Sequence, residues 1–206
     1  MVRPPPHHRP TPRKTPRQPR SVETVAVLVE AAARILEQHG PGGFTTNAVA
    51  GRAGVSIGSL YQYFPGKEAL IGALIVRETG QLIADWERDA TAPDGAQALT
   101  DMIGSAVAHQ LKRPALARLL DVEEARLPFD RDTRRVSDRL RALLLEVLAR
   151  PDLPHQPDPE VAAADVLAII KGMIDAAGER GEGDQPLLAR RVRRAVDGYL
   201  NSSDHV

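Results

Sequence analysis

Thr45-Thr46-Asn47-Ala48-Val49-Ala50-Gly51-Arg52-Ala53-Gly54-Val55-Ser56-Ile57-Gly58-Ser59-Leu60-Tyr61-Gln62-Tyr63-Phe64 is the stretch on which the reading of this chain turns. It holds two short helical patterns separated by a glycine. Thr45 or Thr46 can cap the first, which ends near Ala53. Gly54 accepts the left-handed conformation that closes a helix. Ser56 can cap the second, which ends before Pro65. A helix-turn-helix needs two short helices crossing steeply through such a turn, and Ala50 and Ala53 let their backbones approach. Val49, Val55, Leu60 and Phe64 can share a core with a preceding helix. Leu60 and Phe64 stand at i,i+4, the spacing of a buried face.

The other face of the second helix is free to meet a double helix of DNA. Ser56 and Ser59 are short donors and acceptors. Ile57 is apolar without an obvious core role, and a thymine methyl is a suitable partner. Gly58 leaves room for a DNA backbone to come close. Tyr61, Gln62 and Tyr63 are long enough to reach phosphates or base edges, and Arg52 is a further candidate contact. Lys67 opens the next helix, where an ammonium and free backbone amides together suit a phosphate.

Working outward, residues 22–39 repeat apolar side chains at helical spacing: Val25, Leu28, Val29, Ala32, Ile35 and Leu36. Ser21 is the expected N-cap and Gly40 the expected residue just past the end. Glu30 and Arg34 can pair at i,i+4. Residues 1–20 contain seven prolines, six Lys/Arg and no acid. Proline blocks a continuous helix, so this segment is expected to be a disordered basic arm. Arg9, Arg13, Lys14, Arg17 and Arg20 could contact DNA from it, or the arm could be a solubilising leader. Residues 21–67 carry three charges of each sign. Residues 68–206 carry 18 basic and 24 acidic groups, a net of −6. The zero net charge of the chain thus hides a basic start beside the motif.

Helix 4 is expected from Lys67 toward Asp89, with Leu70, Leu74, Ile75, Leu82, Ile83 and Trp86 on its apolar side. Further helices are expected near 95–112, 115–126, 131–150, 159–178 and 186–201, between breaks such as Pro93-Asp94-Gly95 and Pro114. No strand pattern of useful length and no internal repeat appears. The composition agrees: 42% hydrophobic but only 3% aromatic residues favour packed Ala, Leu, Val and Ile helices. The expected fold is therefore all-α. It comprises the arm at 1–20, a three-helix helix-turn-helix DNA-binding domain at 21–67 with its motif at 45–64, and a helical bundle at 68–206.

The chain has no cysteine, which excludes disulfides and thiolate sites and fits a reducing cytoplasm. No apolar run approaches the ~18 residues of a membrane span. The basic N-terminus lacks the apolar core of a secretory signal. No nucleophile–base pair, metal cluster, phosphate loop or cofactor motif stands out. No catalytic, metal or cofactor site is expected, and the chain is not expected to be an enzyme.

Phe44-Thr45-Thr46, Ala53-Gly54-Val55-Ser56, Gly58, Leu60-Tyr61, Tyr63-Phe64 and Lys67-Glu68 with Leu70 together resemble the tetracycline-repressor (TetR) family. The match covers about 45 residues; beyond about residue 90 it is architectural. The resemblance implies that Thr46 is a phosphate contact at the start of helix 2. It implies that Ser56, Gly58 and Ser59 contact DNA at the start of the recognition helix, that Tyr61 and Tyr63 meet phosphates or bases, and that Lys67 meets a phosphate. Ile57 departs from the family, which often has a charged or long polar residue there.

The resemblance also implies that the region from about 68 onward dimerises and binds an effector. Val166, Ile170, Met173 and Ile174 on one helix, and Leu188, Val192, Val196 and Tyr199 on the last, are the expected dimer face. Burial inside one subunit is the alternative. Trp86, Met102, His109, Phe129 and Met173 are conceivable effector contacts, or ordinary core. The implied function is a dimeric repressor on a near-palindromic double-stranded DNA operator, released by a small-molecule effector. An activator of the same fold is the alternative, as is a helical ligand-binding or interaction module without specific DNA binding. Intact Thr46, Tyr61 and Lys67 argue against the latter.

Overall fold

Proline, glycine and aspartate set the ends of the helices. A computed structural model describes residues 19–126 and 131–202. Among the described residues it has nine helices and no strand: α1 (Pro19–Gly43), α2 (Thr46–Ala53), α3 (Ile57–Tyr63), α4 (Lys67–Asp89), α5 (Gly95–Lys112), α6 (Pro114–Arg126), α7 (Arg131–Leu148), α8 (Pro159–Glu179) and α9 (Gln185–Asn201). The all-α expectation is met. Residues 1–18 of the expected arm and the candidate Phe129 lie outside the described residues.

Two details of α1 differ from expectation. It starts at Pro19, so Pro19 and Arg20 belong to its first turn and Ser21 is not its cap. A proline there forfeits no helical hydrogen bond, and its fixed φ suits the first turn. At the other end Gly40 has φ 61° and ψ −172°, a region open essentially to glycine alone, and Pro41 to Gly43 continue beyond that kink.

The residues divide into two compact units. The first contains α1, α2, α3, α4 as far as Glu78, and α6 from Ala115. Its core joins Leu28, Ala32 and Leu36 of α1 with Phe44, Val49, Leu60 and Phe64. Leu70, Leu74 and Ile75 of α4 and Leu116 and Leu120 of α6 belong to the same cluster. The packing around the motif therefore runs past residue 67, where the sequence places a boundary, because one apolar side of α4 continues through it. Each fully buried Leu or Phe here contributes about 1.5–3 kcal/mol. On the surface, Glu30 pairs with Arg34 at 2.7 Å, as expected, and with Arg77 of α4 at 3.0 Å. The exposed Glu30–Arg34 pair contributes about 0.2–1 kcal/mol, so apolar burial dominates.

The second unit begins at Thr79 and includes α5, α8, α9 and α7 from Arg135. α5, α8 and α9 pack mutually. Asp94, Asp158 and Asp184 cap α5, α8 and α9, each accepting from the backbone N–H three residues on, at 2.7, 3.1 and 2.9 Å. Gly95 has a steric role beyond its turn. A Cβ there would stand 2.9 Å from Leu153 Cδ1 and 3.2 Å from Arg150 Cβ. Among the described residues, no helix is long and apolar enough to cross a membrane.

Candidate nucleic-acid interface

The motif is built by local hydrogen bonds before any distant contact. Thr45 caps α2, its hydroxyl accepting from Ala48 N at 3.1 Å. Gly54 then turns left-handed at φ 67° and ψ 26°, and its N–H reaches Gly51 O at 3.2 Å. The next N–H, of Val55, returns to Ala50 O at 3.1 Å. Together these bonds satisfy carbonyls that the end of α2 would leave open. Ser56 caps α3 by accepting from Ser59 N at 3.1 Å. Val49, Leu60 and Phe64 are fully buried, and Val55 packs partly buried against them.

With that side closed, the opposite side of α2 and α3 faces outward. Ser56, Gly58 and Gln62 are exposed, and Ser59 and Thr46 are half-buried. Ile57 keeps 37% of its surface and Tyr61 keeps 42%, so neither is a core residue. Thr46 Oγ1 and Tyr61 OH lie 3.2 Å apart, which ties the start of α2 to the middle of α3. Ser56 Oγ and Ser59 Oγ lie 2.8 Å apart. Among the described residues a Cβ at Gly58 would meet only Ser56 Oγ, at 3.9 Å, so none of them requires a glycine there. Lys67 is exposed at the first residue of α4.

Residues 28–74 match the family profile described as bacterial regulatory proteins of the tetR family. Residues 96–200 match that of the tetracyclin repressor-like C-terminal domain. The chain belongs to the TetR family. It is a DNA-binding transcriptional regulator with a helix-turn-helix. It is 25% identical over 194 residues to the uncharacterized HTH-type transcriptional regulator YobS of Bacillus subtilis (strain 168), covering 91% of this chain and 98% of YobS. A solved TetR-family transcriptional regulator from Streptomyces coelicolor is 26% identical, with a TM-score of 0.68 over 87% of this chain and 97% of its own. FadR from Bacillus subtilis, solved in complex with stearoyl-CoA, shares the fold at a TM-score of 0.71 and 18% identity, over 86% and 98%.

Within this TetR fold the expected DNA residues do not behave alike. Tyr61 stands outward, whereas Tyr63 is half-buried and packs against the first unit's core. Arg52 is exposed, and its Nη1 donates to Gln38 Oε1 of α1 at 3.2 Å. Gln38 was no candidate in the sequence, because a partner fourteen residues away leaves no periodic signal.

Most of the C-terminal candidates lie inside the single chain. Val166, Ile170, Ile174, Leu188, Val192 and Val196 retain at most 4% of their surface within the single chain. They belong to the core that joins α8 and α9 with α5, as in the alternative of burial inside one subunit. Met173 and Tyr199 are half-buried against the same core. Tyr199 OH donates to Asp165 of α8 at 2.8 Å. Trp86 and Met102 are likewise core, at 1% and 0% exposure, and the indole N–H donates to Met102 O at 2.9 Å. His109 is half-buried on α5. An open depression of the second unit, lined by Ala96, Asp152, Leu153, Pro154, Arg193 and Asp197 among others, contains none of the expected residues. Its Arg193 already donates to Asp197 at 2.7 Å and to Ala96 O at 2.6 Å.

Proposed function

We propose that the chain is a cytoplasmic, homodimeric repressor that binds a near-palindromic operator and leaves it when a small molecule binds the C-terminal unit. The observation that carries this reading is the outward face of α2 and α3, where the Thr46–Tyr61 pair stands beside exposed Ser56, Ile57, Gly58 and Gln62. In this reading α3 enters the major groove. Thr46, Tyr61, Tyr63, Arg52 and Lys67 contact the backbone and fix the register. Ser56, Ile57, Gly58, Ser59 and Gln62 meet the base edges. The face holds few cations, so the basic residues of 1–20 add phosphate contacts from outside it.

Dimerisation places two copies of α3 in successive major grooves, about 34 Å apart. The surface left for it on α8 and α9 is their exposed sides, with Val161, Ala168 and Gly172 on α8 and Leu187 and Gly198 on α9. An effector that binds better to a dimer of the wrong spacing shifts the population off DNA. That FadR of this fold was solved with stearoyl-CoA supports the effector part of the reading. The chain acts by binding, not by catalysis.

The test is binding of the full chain to DNA upstream of its own gene, against random DNA of equal length, as salt is varied. The operator is expected to bind about 10³-fold or more tightly, with two chains per site. Equal affinity for both DNAs would end the proposal of specific regulation. Lys67→Ala should reduce the slope of log affinity against log salt by about 1 per subunit. An unchanged slope would remove Lys67 from the phosphate contacts.

A further inference from the structure

We infer that Ile57 is a base-reading residue of α3, and that it reads a thymine in each half-site through the 5-methyl group. The inference rests on the operator-binding reading and deepens it. The chain from Val55 to Phe64 contains no Arg or Lys, so α3 has no fork for the two acceptors of a guanine. Its hydroxyls are largely occupied. Ser56 Oγ accepts from Ser59 N and pairs with Ser59 Oγ, while Tyr61 OH is held by Thr46.

Ile57 differs from these. It is the first residue of α3, more than a third exposed, and contributes to no core. A β-branched side chain is stiff at χ1, so it loses little freedom on contact. Gly58 beside it adds no side chain, and the space where a Cβ would stand is open. The thymine methyl is the apolar group on the floor of the major groove. Ile57 against that methyl removes two apolar surfaces from water. Against cytosine the same side chain would cover an amino group and leave it without a partner, which is unfavourable. The residue thus selects for thymine and against cytosine with no hydrogen bond of its own.

The experiment enriches binding sites for the full chain from random duplexes, then replaces each thymine of the enriched site in turn by deoxyuridine, which lacks only the methyl. One thymine per half-site should respond, with affinity falling about fourfold, as expected for one buried methyl-sized group. The response should vanish in Ile57→Ala and persist in reduced form in Ile57→Val, both with wild-type melting temperatures. A methyl response undiminished in Ile57→Ala, or no responsive thymine in an enriched site, overturns the assignment and leaves the regulator reading standing. Failure to enrich any sequence overturns both.

Discussion

The outward face of α2–α3 and the inward faces of α8–α9 make opposite use of the same raw material. Around the motif, short-range bonds fix the backbone: Thr45 to Ala48, Gly54 to Gly51, Ser56 to Ser59. Because those bonds are local, they also determine which residues are left outside. On α8 and α9 the apolar periodicity decides only that a face is buried. Leu188, Val192 and Val196 could have met a second subunit; they meet their own chain. A local motif therefore specifies structure and surface together, whereas an amphipathic stripe specifies burial and leaves the partner open.

The most severe way to break this contrast is Leu188→Ala. Leu188 is fully enclosed within the chain. The substitution should lower unfolding free energy by about 2–5 kcal/mol and leave the protein's mass by sedimentation unchanged. Dissociation without lost folding stability would return Leu188 to the interface and erase the distinction. Gly54→Ala tests the other side of it. A Cβ at Gly54 meets nothing within 4 Å, so the cost is conformational strain at φ 67°. Urea unfolding should show a loss of about 1–2 kcal/mol. No loss would mean that the left-handed turn is not what holds the two helices.

These differences explain what could be read in advance. Gly54 and Ser56 carry their roles in their own chemistry, and α2 ends and α3 begins where their positions predict. Gly40 makes the expected break, but Pro41 to Gly43 continue beyond it. Pro19 extended α1 past Ser21 because a proline is as acceptable in a first helical turn as a serine is at the cap before it. Leu116 and Leu120 join the N-terminal core from α6, across some forty residues of chain, and nothing in their spacing says so. Trp86 and Met102 show the same limit at the level of single residues, because a large apolar side chain looks alike whether it fills a core or lines a pocket. On the recognition face the uncharged character of Ser56, Ile57, Ser59 and Gln62 was legible. The pairing of Thr46 with Tyr61, across fifteen residues, was not.

A subtler test separates folding from recognition at one position. Gly58 sits within α3 with open space where a side chain would be. Gly58→Ala should raise stability by up to about 0.5–1 kcal/mol, because alanine loses less backbone freedom in a helix. Operator affinity should fall, since the added methyl stands on the surface that approaches DNA. A more stable variant with full affinity would show that the DNA does not come close at Gly58. The claim that the motif's local bonds leave a reading surface would then have to exclude it.

The smallest expected effect concerns the second unit, where one long-range contact behaves like a local cap. Asp152 accepts from the backbone N–H groups of Gly95 and Ala96 at 3.0 Å each. Those two bonds hold its carboxyl below the ordinary range. The folded state therefore keeps Asp152 ionised where the unfolded chain would already bind a proton. The stability this supplies is present above the unfolded value of about 3.9 and is lost as pH falls through the lower folded value. Asp152→Asn should lower the melting temperature slightly at neutral pH and flatten its decline on acidification. Glu182, whose carboxyl is lowered by hydrogen bonds from Arg180 and Arg191, titrates in both proteins and cancels in the comparison. Melting curves that fall in parallel between pH 5 and pH 3 would mean that Asp152 titrates alike folded and unfolded. The start of α5 would then depend on Asp94 alone, the cap its own sequence supplies.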